Sequence, residues 1–350
     1  MARLMLFLTR TRGVKRLHWT DWFSYSYLFL GVLLMFGPVV WMVMSSFKTE
    51  TQLMEFPPNF LPYGQIERKI EGFENPLPLF LVKKGDYQGK ILAQSRRVGI
   101  LSHLVDPDDP DTLIKINVRD REPVKEFSLS LDNYSELFER FKFTTYLWNS
   151  IFITVVATLI TLLTCSMAAF ALSKYKFKGK LPALALIVGA LMVPHTVTLV
   201  PLFLITKSLG LFNSLWGVIL PAVASPTGVF LLRQYMLTIP DEILDAARMD
   251  KASEWKIYWR IILPLSMPAL AVLCILSVMW RWNDFLWPLI VLFDSDKFTL
   301  QLALNSFQGQ HDTQWSNLLA MTVLVLIPIA TVFSFLQKYI TTGTASSGIK

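Results

Sequence analysis

The chain has 350 residues, of which 53% are hydrophobic and only 17% charged; that balance is too apolar for an ordinary soluble domain and belongs in a membrane. A formal net charge of +7 raises nucleic acid as a partner, but the basic residues gather in short loops between apolar runs, the topology pattern of membrane proteins, and no nucleic-acid partner is expected. Cys165 and Cys274 stand singly inside apolar runs without redox or metal-ligand spacing, so they read as packing residues and no metal site is expected.

Residues 1–24 carry Arg3, Arg10, Arg12, Lys15 and Arg16 and show no small-residue cleavage site, which makes them a cytoplasmic N-terminal segment rather than a removed signal peptide. Residues 25–46 are uncharged over a length that crosses the roughly 30 Å hydrocarbon layer, and form TM1. Residues 47–145 are a long polar segment with short strands expected at Phe80–Val82, Lys90–Leu92, Val98–Val105 and Thr112–Val118. Gly85-Asp86 and Asp106-Pro107-Asp108-Asp109-Pro110 are the turns between them. The acidic turn lacks the glycine and terminal glutamate of a calcium loop and reads as solvated.

The remainder, 146–337, is a transmembrane core with further spans at 146–172, 181–206, 213–232, 264–293 and 315–337, followed by a cytoplasmic tail at 338–350. Sixteen lysines and arginines fall in the two termini and the loops at 173–180 and 233–263, against only Lys207 and Lys297 in the two opposite short loops. Both termini are therefore expected in the cytoplasm and the β-rich segment outside. The expected fold class is an all-α membrane protein of six transmembrane helices with a small extracytoplasmic β-rich insertion between the first two.

Pro38, Pro194, Pro201, Pro221, Pro226, Pro288 and Pro328 lie within the spans. Each removes a backbone donor, either bending a helix for packing or marking a cavity. His195, Asn283 and Asp284 are the candidate pathway-lining residues, since polar groups at membrane depth face cavities or one another. Arg281 and Asp284, three apart on a helix, are expected to pair, and His195 reads first as a hydrogen-bonded interior residue.

The polar block Ile239–Pro268 sits between two long apolar runs within the loop 238–263 and its continuation. Pro240 starts a helix with Asp241 and Glu242 in its first turn, where the helix dipole favours negative charge. Ile243, Ala246 and Ala247 make a narrow apolar face, Lys251 and Ala252 interrupt it, Ser253 caps a second helix, and Trp255, Tyr258, Trp259 and Ile262 form a second stripe. By pattern alone this is helix, turn, helix, equally fit to lie on the bilayer surface.

Ile239, Pro240, Glu242, Ala246, Ala247, Asp250, Ala252, Ser253, Leu263, Pro264, Leu265 and Pro268 match the EAA-loop pattern I-P-x-E-L-x-E-A-A-x-x-D-G-A-S…L-P-L-x-x-P. The chain thereby resembles permease subunits of binding-protein-dependent ABC importers, specifically the maltose-type sugar permeases. Asp245 stands where the pattern has glutamate and Lys251 where it has glycine; a lysine in a left-handed turn costs on the order of 1 kcal/mol. Lys48 to Glu50, Asn133 to Phe138, Trp148-Asn149-Ser150, Trp282-Asn283-Asp284-Phe285 and the glycine-containing tail resemble the family as well, and residues 64–125 look like an insertion.

The resemblance implies that Glu242, Asp245, Ala246, Ala247, Asp250, Lys251, Ala252 and Ser253 couple to a cytoplasmic ABC ATPase dimer. It implies two further partners, a second related permease and an extracytoplasmic solute-binding protein, besides membrane lipid. No cofactor is expected on this chain, ATP and Mg belonging to the ATPase, and the subunit is non-catalytic. Import of a sugar or oligosaccharide by alternating access in a cytoplasmic (inner) membrane is the function implied, with a non-sugar solute or a self-contained secondary transporter as alternatives. An intramembrane enzyme is disfavoured, because no H-E-x-x-H, G-x-S-x-G or Walker A sequence is present.

Overall fold

Apolar runs and strand-forming segments separate along the chain, and the fold separates with them. The computed structural model describes residues 19–70, 73, 75–107, 109–139, 141–305 and 314–345. Expectations for residues 1–18, Asp108, 306–313 and 346–350 lie outside these. Two units form, parted between Ser130 and Leu131.

In the first unit, α1 (Trp19–Ser45) contains Pro38 and is long and apolar enough to cross a membrane from Asp21 to Ser45. Strands β1 (Tyr63–Gln65) and β8 (Lys125–Phe127) pair antiparallel. The larger sheet runs β2 (Glu67–Arg68), β3 (Leu77–Val82), β4 (Ile91–Val98), β5 (Leu101–Asp106), β6 (Asp109–Asn117), with β7 (Arg121–Pro123) also on β3. Alternation puts Leu77, Leu79, Ala93 and Val105 in one apolar cluster and Phe80, Val82, Leu92, Leu104 and Ile114 in another. The expected single strand Val98–Val105 is wrong: Gly99 takes a φ of 61° and turns the chain between β4 and β5. A left-handed glycine ends a strand that composition alone would continue.

The second unit begins with α2 (Asp132–Glu139) and is built round α3 (Phe143–Lys174), 32 residues long. The inward face of α3 is small and weakly polar, with Ser150, Thr154, Ala157, Thr158, Thr161, Cys165, Ser166 and Ala169 buried. Such a face lets neighbouring helices approach closely and hydrogen-bond across. Against it pack α7 (Pro226–Met236) and α10 (Met267–Trp282). Thr158 and Ser277 hydroxyls meet at 2.9 Å, and Ser166 meets the Tyr258 hydroxyl at 2.7 Å. Asn149 donates to the carbonyls of Asp296 and Phe298, and Ser150 Oγ accepts the Leu300 N–H, which ties the start of α3 to α12 (Leu300–Leu304). Last comes α13 (Trp315–Ala345), with Pro328 inside; its helix continues to Ala345, past the expected end at 337.

Among the described residues three helices are long and apolar enough to span, α1, α3 and α13, and three further apolar pairs are sharply bent. The expected continuous span 181–206 is broken, α4 (Lys180–Leu191) meeting α5 (His195–Ser208) at 107°. Pro194 at the break cannot donate and disfavours helical backbone before it. Likewise 213–232 divides into α6 (Leu215–Ile219), extended to Ala222, and α7, bent by 42°. Span 264–293 also fails to run through: α10 ends at Trp282 and α11 (Leu286–Val291) starts afresh.

Gly217 shows how tightly this second unit closes: an added Cβ would lie 2.2 Å from the Leu211 carbonyl oxygen. At Gly228 it would meet the Cys165 Sγ and a Leu273 methyl at 3.0 Å, atoms that can yield. Gly217→Ala should therefore destabilise by about 3 kcal/mol and Gly228→Ala by less, checked by thermal unfolding of the purified chain in detergent.

Candidate functional site

The polar block folds as α8 (Asp241–Met249), a turn, and α9 (Glu254–Ile257), which continues through one wide turn at Tyr258–Ile262. Pro240 immediately precedes the first helical residue. Along α8 the inward residues are Leu244 and Ala247, which join Phe170, Leu232, Met236, Ile257, Tyr258 and Ile262 in one buried cluster. Sequence pattern had grouped Ala247 with Ile243 and Ala246, but those two face outward. The exposed face is thus Glu242, Ile243, Asp245, Ala246, Met249 and Asp250, with Met249 84% exposed. In the second helix Tyr258 and Ile262 of the expected stripe are buried, the wide turn lets Ile257, five residues before Ile262, share that buried face, and Trp255 and Trp259 are exposed.

The turn joining the two helices is fully bonded. Lys251 N–H donates to Arg248 O at 2.9 Å and Ala252 N–H to Ala247 O at 3.0 Å, a Schellman termination with Asp250 as its cap. Lys251 sits at the left-handed position with φ 57°, where glycine is favoured. Ser253 Oγ then accepts the Lys256 N–H at 3.3 Å and starts α9.

Ion pairs fasten this turn to α3. Lys174 Nζ, its side chain only 3% exposed, donates to the Ile239 carbonyl and to Asp241 Oδ1 at 2.7 Å. Arg248 bridges Glu254 at 2.8 Å and Asp245 at 3.2 Å, and Tyr175 donates its hydroxyl to Glu254 at 2.7 Å. Burial and then the Glu254 carboxylate push the Tyr175 phenol up to about 12. Hydrogen bonding to Lys174 lowers the Asp241 carboxyl below its ordinary value, and hydrogen bonding to Glu254 raises Arg248. The block is thus a short helix on a rigid mount with its outer face free.

A second feature lies at the helix breaks. A cavity of 450 Å³ opens between α5, the α6–α7 break and α10, and His195, Arg281 and Asp284 line it together with Trp280 and Trp287. Asn283 is not part of the lining: its amide donates to Met279 O and accepts from Gln301 at 3.5 Å. Arg281 and Asp284 form no ion pair, contrary to the spacing argument. Asp284 instead accepts the Trp287 N–H at 3.3 Å and starts α11. Arg281 donates to the Ala222 carbonyl and reaches Thr161 Oγ1 at 3.5 Å. The reason is backbone chemistry: Pro226 has no N–H to offer Ala222 four residues earlier, so a side chain must. Cys165 Sγ adds a second donor at 3.5 Å to the Ser225 carbonyl, which already accepts the Val229 N–H, while the Thr164 hydroxyl donates to the Ile160 carbonyl of its own helix at 2.8 Å. These carbonyl partners were not foreseeable, because nothing in the spacing of α3, α7 and α10 says which faces meet.

Residues 135–345 match the model of the family described as "Binding-protein-dependent transport system inner membrane component". The chain belongs to this family. It is therefore a membrane permease component of a transport system. The arabinooligosaccharides transport system permease protein AraQ of Halalkalibacterium halodurans is 39% identical over 224 residues, covering 64% of this chain and 80% of that protein. The lactose transport system permease protein LacG of Rhizobium radiobacter is 31% identical, covering 62% and 79% respectively. Among solved structures, a bacterial ABC transporter involved in the import of the acidic polysaccharide alginate matches with a TM-score of 0.67 at 20% identity, over 93% of this chain and 100% of that one. At that identity the likeness is one of fold.

Two outcomes follow for the mount. Lys251→Gly should raise the apparent Tm slightly, by about 0.5 kcal/mol of stability, because relief of the left-handed strain is partly offset by the freer unfolded chain. The Asp241 pKa is lowered in the folded state, so its contribution is present above the ordinary carboxylate range and disappears as pH falls through the lowered value. Amide exchange of residues 241–247, compared between neutral and acidic pH, should therefore show lost protection in the wild type and a much smaller pH effect in Lys174→Met.

Proposed function

We propose that this chain is one of two permease halves of an ABC importer for a sugar or oligosaccharide, coupled to its ATPase through α8. The observation that carries the reading is the mounting of α8: its inner face and both ends are held by α3, α7 and α9, while Ile243, Ala246 and Met249 stand exposed within an acidic rim of Glu242, Asp245 and Asp250. A helix held this way transmits force as a lever and offers a surface for a partner. Relatives named for arabinooligosaccharide and lactose transport support a sugar as the solute.

In this reading the three apolar helices and the three bent pairs make six spans, both termini are cytoplasmic, the β-rich unit lies outside, and the chain sits in the cytoplasmic membrane of a bacterium or archaeon. A related permease completes the pathway, a solute-binding protein delivers to it, and an ABC ATPase dimer binds ATP and Mg. Closure of that dimer pushes α8, and α3 passes the motion to the bent pairs that flank the cavity. Glu242, Asp245, Ala246 and Asp250 form the contact, whereas Ala247, Lys251, Ala252 and Ser253 shape and anchor it.

Ala246→Glu with Met249→Glu should abolish co-purification of the ATPase and lower uptake at least about tenfold, as expected for charges buried at an interface centre, with chain yield and Tm unchanged. Undiminished ATPase recovery would overturn α8 as the coupling element.

A further inference from the structure

We propose that the cavity at the helix breaks is a solute-contact site contributed by this subunit itself, selective for a neutral polyhydroxyl ring. The inference rests on the import reading above and adds to it which chain touches the solute and what chemistry it recognises. The size is right: 450 Å³ falls within the roughly 300–1,000 Å³ of small-molecule sites.

Hydrogen-bonding capacity is left over in the exposed and half-buried lining of the cavity. Arg281 spends Nη2 on the Ala222 carbonyl and Thr161, its Nε is packed under protein, and its Nη1 makes no hydrogen bond among the described residues. Asp284 uses Oδ1 on the Trp287 N–H and forms no ion pair among the described residues. The His195 side chain, expected as a hydrogen-bonded interior residue, is instead exposed, and its ring makes no hydrogen bond among the described residues, although its backbone carbonyl accepts from Thr198. Unpaired polar groups at membrane depth persist where water or a solute occupies the space beside them.

The mixture of groups selects the class. Arg281 offers donors and Asp284 an acceptor, which is what a hydroxyl, itself donor and acceptor, can satisfy in alternation. Trp280, 45% exposed and on the same lining, supplies an indole suited to the apolar face of a sugar ring. An anionic solute would be attracted by Arg281 but repelled by Asp284, and a cationic one the reverse, so the lining gives no net preference for charge and a neutral ring fits it.

The test uses the whole assembly, with ATPase, second permease and binding protein, in proteoliposomes. The probes are a set of neutral di- and trisaccharides, arabinotriose and lactose included, and their uronate-terminated counterparts, with import read by mass spectrometry. Asp284→Asn keeps an Oδ1 acceptor for Trp287 but removes the charge and turns the second oxygen, the acceptor offered to the solute, into an N–H donor; Trp280→Leu removes the indole. The expected result is normal assembly yield, a KM for the imported neutral sugar raised about tenfold in each, and for Asp284→Asn a higher ratio of acidic to neutral import. Unchanged KM and unchanged ratio in both variants would overturn the proposal while leaving the importer reading intact. Equal loss for neutral and acidic probes with reduced assembly yield would mark Asp284 as structural and overturn it too. Import of no saccharide by the wild-type assembly would overturn the sugar-import reading and this site with it.

Discussion

A backbone carbonyl inside hydrocarbon needs a donor, and the transmembrane part of this protein is organised by that requirement. Three of its apolar segments are bent by 107°, 42° and 76°, and a proline at a bend leaves a carbonyl without its usual backbone donor. At the α6–α7 break the Ala222 oxygen, freed by Pro226, is served by Arg281, and Cys165 adds a second donor to the Ser225 oxygen that the Val229 N–H already serves. Cys165 belongs to α3, whose small, weakly polar face lets α7 and α10 come near enough. The long straight helix is the condition for the broken ones.

The same helix carries the other half of the design at its C-terminal end. Lys174, nearly buried, holds the Ile239 carbonyl and Asp241, and Lys180 donates to the carbonyls of Ser173 and Tyr175 that end α3. Lys174 thus joins the start of α8 to the end of α3, and Lys180 closes the end of α3 itself. Displacement of α8 is therefore carried into α3 rather than absorbed by a flexible loop. Along α3 lie Thr161 and Thr164, within reach of the break that borders the cavity.

Arg281 sits where these two roles meet. Its charge is costly at depth, yet the carbonyl orphaned by Pro226 and the cavity beside it give the guanidinium both a structural partner and an open side. Spacing on a single helix suggested Asp284 as its counter-ion, but helix α10 ends at Trp282 and the carboxylate turns away to start α11. One break in a helix thereby converts an expected neutral pair into two separately usable groups.

How much was legible in the sequence follows from the range of each interaction. Apolar runs, the helix-turn-helix of the polar block and the Ser253 cap were readable, because each depends on a residue and its neighbours within one or two turns; the left-handed strain at Lys251 followed from the glycine of the pattern the block resembles. Local preference also marked where helices would suffer, at Pro194 and Pro226. What the tertiary structure alone decided is which face of α8 is buried, where Gly99 turns the sheet, how far the proline sites bend, and which side chain repairs each orphaned carbonyl. Those outcomes depend on donors and apolar surfaces tens of residues away, Leu172 to Arg233 or Ala222 to Arg281, and only packing brings such partners within hydrogen-bond distance.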